Sequence, residues 1–597
     1  MSYIPSHVNS LKFSQIAMIV LYTLVTTQGC KSAPKTKSTP NYPQSSTESR
    51  TAPALTAPLS CDGAILGIKP LSCIPVPQPS ATVIVDKQAA IALGKALFWD
   101  IQVGSDSVTA CATCHFAAGA DRRIINILNP GPDNVFRSGG VTAAEQKYHP
   151  ELNGIPGLNC SSCHPQMHNA KTGLGSVVGQ ILHPISDDDR VGSQGIAAAK
   201  FTRNPALGTG AVEFCAPVPG GPFKRFRQVT SRNAPTNIGA VFYQELFWDG
   251  RASQNFNGVD PFGDTANAST PRVLAKNAAL ASQAMGPVTG NAFEMNCLGR
   301  SLSGNSGLAA KLLPRQPLRL QGVATTDSAL GSYARLKRSG LYCDKAKPCT
   351  YQNLVDKAFG PVIGGANAKF NFGRIFGEAL QAYQSTLIPD QTPFDSYLAG
   401  NAESLTAPQK NGLNLFTGKG HCLLCHNGST LSDASESVLA ASGPQNQDGG
   451  DPGFHNIGIR PASEDPGRGG AGPNKSTFSV SKASADNGAF KTASLRNVKL
   501  TAPYFHHGGM WSLEDVVRFY NTVTESPDPE RSILISPIDL TDPEIADLVD
   551  FLRNALTDPR VEFGRAPFDH PSIQIPNGPT VPAVGKEGGL SVLSFNK

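Results

Sequence analysis

At 597 residues, 40% of them hydrophobic, the chain is long enough for two or three domains, each burying its own core. Lys and Arg number 51 against 46 Asp and Glu, only 16% of residues are charged, and no basic run stands out, which excludes nucleic acid as an expected partner. Gly at 59 and Pro at 47 are high for a helical protein and predict cores completed by a bulky apolar group and wrapped by long loops.

Lys12 followed by the apolar run from Ile16 to Val25 reads as a secretory signal, too short to span a bilayer as a mature helix. The run leads to Gly29-Cys30, which resembles a bacterial lipoprotein cleavage site except that Thr27 stands where Leu is usual. Two readings of residues 1–30 stay open: lipidation at Cys30 with an outer-membrane anchor, and an ordinary cleaved signal. Residues 31–80, rich in Ser, Thr, Pro and Lys, predict a disordered tether. From Asp86, an N-cap candidate, Ala90, Leu93 and Leu97 recur at helical spacing.

That helix leads to Cys111-Ala112-Thr113-Cys114-His115, the pattern by which a c-type haem is covalently attached. The pattern recurs at Cys160-Ser161-Ser162-Cys163-His164 and Cys422-Leu423-Leu424-Cys425-His426. Two cysteines three apart on one turn reach the two haem vinyls, and the next residue places its imidazole under the iron. Thirteen Cys and 12 His in this length would give about 0.006 such patterns by chance. Half a zinc site or a redox dithiol would not need an adjoining His each time. Three covalent haem c groups are therefore expected, with His115, His164 and His426 as proximal iron ligands, and attachment of this kind implies export to the periplasm or cell surface. For the middle motif the sixth ligand is sought among His149, His183, His168 and Met167; His168 sits so close in sequence to His164 that His149 or His183 is favoured. Six other cysteines after Cys30 suit an oxidising compartment. Cys61 with Cys73 and Cys343 with Cys349 are close enough for local disulfides, which leaves Cys215 and Cys297, though spacing alone does not fix the connectivity.

Further along, Phe372 to Leu387 buries Ile375, Phe376, Ala379, Leu380, Tyr383 and Leu387 on one helical face before Pro389. Thr406 is a cap candidate for the helix before the third motif. Ser512 opens a helix with Leu513, Val516, Val517 and Tyr520 on one face, and Thr541-x-x-Glu544 is a capping box for Ile545, Leu548 and Leu552. Strand patterns are scarce.

LGKALFWD followed by CATCH, SRNAPTNIGAVFYQELFWDGRA (231–252), QAMGPVTGNAFEM (283–295), LFTGKGHCLLCHNG and LRNVKLTAPYFHHGG together resemble the signature blocks of the bacterial di-haem cytochrome c peroxidase and MauG superfamily. The resemblance implies a mainly α fold of two cytochrome c-like haem domains, with a loop-rich, haem-bearing insertion. The boundaries read as 81–388 for the first domain, with the insertion at about 120–230, then 389–575 for the second and 576–597 for a tail. The extra motif at Cys160 departs from the two-haem pattern and falls where the family's distal loop would lie.

By the same resemblance, Glu294 hangs over an open iron at His115 as acid–base for peroxide cleavage, a task a desolvated carboxylate can perform. Gln283 matches a second polar residue there, and Trp248 matches a tryptophan between two haems, where an indole relays electrons or packs as core. Asn233, Thr501 and Pro503 match positions that supply oxygens to calcium, although none is charged. Tyr520 stands where typical members carry a Met ligand to the second haem, as MauG has Tyr there; Met510 lies ten residues earlier. The function so implied is an exported peroxidase that reduces hydrogen peroxide with electrons from a small redox protein or a quinol. The alternatives are MauG-like peroxide-dependent oxidation of a protein or organic substrate, including polymer cleavage, and a pure electron-transfer cytochrome with no open iron.

Overall fold

Asp86 Oδ1 accepts the Ala89 amide at 3.0 Å and so starts helix α1 (Lys87–Trp99), as the cap pattern predicts. This computed structural model describes residues 61, 67–124, 127–134, 190–223, 226–265, 267–290, 292–470, 478–523 and 530–596. The signal run with Cys30, the middle motif Cys160 to His164, and its candidate ligands His149, Met167, His168 and His183 lie outside them.

Two large cores, with two smaller apolar clusters beside them, organise the described residues. The first packs α1 with α2 (Ala279–Thr289), α3 (Tyr351–Ile363) and α4 (Phe372–Gln384). Helix α4 buries Ile375, Phe376, Ala379, Leu380 and Tyr383 as its periodicity predicts. It crosses α1 so closely that a Cβ on Gly94 would run into the Ala379 carbonyl. The second core packs α5 (Ala407–Thr417), α6 (Leu513–Thr522) and α7 (Asp542–Asp550), with Phe394, Phe551 and Leu552. Thr406, Ser512 and Thr541 cap these three helices, and Glu544 accepts the Thr541 amide at 2.8 Å.

Strands occur only as short antiparallel ribbons among the described residues. β1 (Leu128–Asn129) pairs with β2 (Arg190–Val191), β3 (Gln194–Ala197) with β6 (Arg227–Val229), and β4 (Ala199–Arg203) with β5 (Phe214–Pro217). In the second half, β7 (Phe454–His455) pairs with β8 (Phe490–Lys491). The interval expected as insertion thus contributes ordered ribbons to the first domain. On either side of the middle motif the chain passes through adjacent positions, Asn129 opposite Arg190.

Three boundaries differ from the sequence reading. The tether expected to residue 80 has ended by Gly67: Ile68 is buried in the second core, and the Leu71 amide donates to Asp395 Oδ1 at 2.9 Å. The tail expected at 576–597 is no tail, because Val581, Val592 and Phe595 fill the first core together with Val561, Ile573 and Ile575. For the same reason the second domain does not run to residue 575. Each end of the described chain therefore packs on the core to which the other half of the sequence contributes most. Disulfides Cys61–Cys73, Cys215–Cys297 and Cys343–Cys349 form as the spacing suggested.

Asp395 is the fixed point of this arrangement. Burial alone would raise its carboxyl, yet Arg496, bound through two nitrogens at 2.7 and 2.8 Å, and hydrogen bonds from Thr392 and Leu71 hold it below the usual range. Arg496 is itself buried and also donates to the Ser429 and Pro389 carbonyls. Asp395→Asn leaves that guanidinium buried without a counter-charge and is expected to cost on the order of 3–5 kcal/mol. Denaturant unfolding of the haem-loaded protein measures it; a change under about 1 kcal/mol would mean the pair behaves like a surface one.

Candidate haem centres and active site

The outer motifs converge on one cavity of about 650 Å³, lined by Cys114 and His115 from one and by Cys422, Cys425 and His426 from the other. Cys111–Cys114 form a single helical turn and His115 follows it, so the short-range geometry is that of the attachment pattern. His115 Nδ1 lies 2.6 Å from the Gly119 carbonyl and His426 Nδ1 lies 3.1 Å from the Leu431 carbonyl. A backbone carbonyl on Nδ1 fixes the tautomer and turns Nε2 toward a metal, the usual support of a ligating histidine. Burial lowers both imidazoles below their ordinary pKa, keeping them in the neutral form that binds iron.

Cys111, Cys114, Cys422 and Cys425 are the cysteines outside disulfides among the described residues. Burial pushes the thiols of Cys111, Cys114 and Cys422 up to about 12. Paired thiols, oriented histidines and a large, mainly apolar cavity fit covalent haem at both outer motifs.

Glu294 lines this cavity, half-buried, and burial raises its pKa while Arg251 opposes the shift. Its charge is felt by Cys111 and Cys114, which places it on the His115 side. The loop carrying it is held from both sides. Ile196 donates to the Phe293 carbonyl at 2.8 Å, Ser105 donates to the Met295 carbonyl at 3.0 Å, and Cys297 is tied by disulfide to Cys215 on β5. Gly195 is required here, since a Cβ on it would strike the Phe293 carbonyl. Gln283, on α2, lines the same cavity.

Trp248 also reaches it, donating Nε1–H to the Asn233 carbonyl at 2.8 Å, with its ring edge-on to His506 at 6.4 Å. Asn233 and Pro503 meet, but the Asn233 amide nitrogen donates to the Pro503 carbonyl at 2.6 Å, the reverse of what a cation selects; rotating the amide would present its oxygen. Thr501 lines the same cavity, and its hydroxyl donates to Val498 at 3.3 Å. Tyr520 lines the cavity, and burial with Cys425 and Cys422 nearby pushes its phenol up. Met510 is buried but is not a lining residue.

Two features escaped the sequence reading. Arg251, inside the quoted FWDGRA block, faces the cavity that holds Glu294. Asp433 and His455 form a 2.7 Å pair beside Cys425, their ligand atoms and its sulfur lying within 4.8 Å of one another. Twenty-two residues separate the pair, and no motif links them.

Fold and site together fit a protein that carries c-type haem at more than one attachment motif. The family model for di-haem cytochrome c peroxidase matches residues 148–403, a span that contains the middle motif and the Glu294 block but neither outer motif. Cytochrome c551 peroxidase of Pseudomonas aeruginosa is 28% identical over 286 residues, 48% of this chain and 56% of its own. Methylamine utilization protein MauG of Methylorubrum extorquens is 34% identical over 181 residues, 30% of this chain and 44% of its own. The matches span about half the length of these curated relatives. Among solved structures, a MauG-like protein associated with microbial copper homeostasis superposes with TM-score 0.43 at 19% identity, over 83% of this chain and 96% of that one. The chain is similar, over these parts, to di-haem cytochrome c peroxidase and MauG proteins.

Proposed function

We propose that the chain is an exported multihaem c-type peroxidase that reduces hydrogen peroxide on the His115 side, with electrons relayed through the other haems. One observation carries this: Glu294 and the Cys111–His115 motif share one cavity, with the acid held over it by paired loops. Haem on His115, when bound, supplies the iron and the redox equivalents. Glu294 moves the proton, taking it from one peroxide oxygen and returning it to the other, and the two electrons and two protons consumed yield two waters. Gln283 orients peroxide by hydrogen bonding. Trp248, which lines the cavity that both motifs reach, is the candidate relay. The donor is a small redox protein or a quinol, the place the periplasm or cell surface, with Cys30 as lipid anchor. Calcium at Asn233, Thr501 and Pro503 is part of the proposal only with the Asn233 amide turned. A carrier with no open iron would have no use for an acid so placed. MauG-like oxidation of a protein or organic substrate is the second reading, favoured by Tyr520 rather than Met510 in the cavity.

Three haems per chain are expected. Because the inserted motif leaves and returns at the β1–β2 ribbon, replacing residues 132–188 by a short turn is expected to give two. Pyridine haemochrome against protein mass reads both; two haems in the full chain would show the middle motif unloaded. A high-spin ferric signal in the resonance spectrum tests for the open iron, and its absence before and after partial reduction would sink the peroxidase reading.

A further inference from the structure

The loop Phe247–Arg251 is closed by paired hydrogen bonds between Leu246 and Ala252, at 3.0 and 3.3 Å. It brings Phe247, Trp248 and Arg251 to the cavity. Two contacts hold the Arg251 side chain there. Its Nη1 donates to Asp249 Oδ2 at 2.8 Å, and its guanidinium carbon lies 4.1 Å over the Phe247 ring. That ring in turn sits against Gly286 of α2, where a Cβ would come within 2.9 Å of it. Phe247 adopts a left-handed φ of 64°, so the loop keeps a costly conformation to make this stack. Asp249 is shared: Arg232 Nη1 binds the same oxygen at 2.7 Å. Arg251 therefore faces the cavity with only part of a carboxylate's charge spent on it. Among the described residues no other acid lies within ion-pair distance of it.

We propose that Arg251 is an anion-binding residue on the His115 side, completing with Glu294 a pocket for small monovalent anions and for the oxygen that departs with negative charge from peroxide. A planar guanidinium in a partly desolvated cavity stabilises such charge, and its alignment precedes the reaction. The leaving oxygen takes its proton from Glu294, while Arg251 remains charged throughout. The inference rests on the peroxidase reading of this cavity and adds a second polar group to it. Gly250, with φ 76° and no room for a Cβ beside the Arg468 guanidinium, makes the turn that precedes Arg251.

The test is equilibrium titration of the ferric, haem-loaded full chain with azide, alongside carbon monoxide titration of the reduced protein, in wild type, Arg251→Lys and Arg251→Gln. Azide affinity is expected to fall about tenfold or more in Arg251→Gln and less in Arg251→Lys, with carbon monoxide, a neutral ligand, unchanged. Turnover with peroxide is expected to fall in the same order. Unchanged azide affinity, or equal loss of both ligands in both variants, overturns the proposal and leaves Arg251 a packing residue. A wild type whose spectrum responds to neither azide nor peroxide overturns the peroxidase reading itself, and the anion pocket with it.

Discussion

Glu294→Gln is expected to keep every haem attached and to slow peroxide-driven oxidation of a reduced donor by on the order of a hundredfold or more. Glutamine preserves the shape and a hydrogen bond but cannot take a proton from one oxygen and return it to the other. The pH dependence sharpens the test. Burial raises the Glu294 carboxyl above the usual range, and Arg251 only partly offsets this. The side chain must be ionised to accept a proton, so the wild-type rate should fall as pH drops through that raised pKa, at a higher pH than an exposed glutamate would give. The limb should vanish in Glu294→Gln, whose residual rate stays flat. Stopped-flow rates at several pH values measure this; a variant with wild-type rate and the same acid limb would remove Glu294 from the mechanism. The other charged or titratable groups near this carboxyl are Arg251 and the Cys111 and Cys114 sulfurs, which thioether formation takes out of titration.

The site was legible in the sequence where chemistry demands contiguous residues. A Cys-x-x-Cys-His pattern works through neighbouring residues, so His115 and His426 could be put forward as iron ligands without tertiary information. Helices α1, α4 and α7 were legible for a similar reason, since caps and a 3.6-residue apolar repeat are local. What stayed hidden depends on long separations. Leu71 and Asp395 bond across 324 residues, and a Pro-rich segment has no period to announce that Ile68 will be buried. The final stretch likewise enters the first core through isolated apolar residues such as Val581, in strands of two residues, too short for alternation to register. The His455–Asp433 pair needed the β7–β8 ribbon to exist before it could be seen. Glu294 was reached by resemblance; its support by β3 and β5 was not, because those strands lie in the interval expected to be insertion.

Replacing Tyr520 by Phe is expected to raise the reduction potential of the His426 centre by on the order of a hundred millivolts and to alter its ferric spectrum, leaving all haems attached. Tyr520 shares the face of α6 that carries Leu513 and Val517 into the second core, which a plain core aromatic would also do. Two facts separate it from that role: it lines the cavity shared with His426, and its phenol is perturbed by Cys425 and Cys422, the sulfurs that flank the ligand. Met510, the one methionine after His426, is buried elsewhere, its carbonyl accepting the Tyr504 amide at 2.7 Å. Burial pushes the phenol up, so if Tyr520 were to hold ferric haem iron the metal would have to displace its proton, and reduction would return that proton. Such oxygen ligation would favour the ferric state and tie the potential to pH, making it more negative as pH rises. A centre of this kind suits sharing an oxidising equivalent rather than rapid donation to a peroxidase site, which is how Tyr520 bears on the choice between peroxide removal and MauG-like oxidation. Spectroelectrochemistry across pH, with near-infrared detection, decides it. A sulfur-to-iron band in the oxidised protein that persists in Tyr520→Phe, with an unmoved potential, would assign the ligand to a methionine and return the balance to ordinary peroxide reduction.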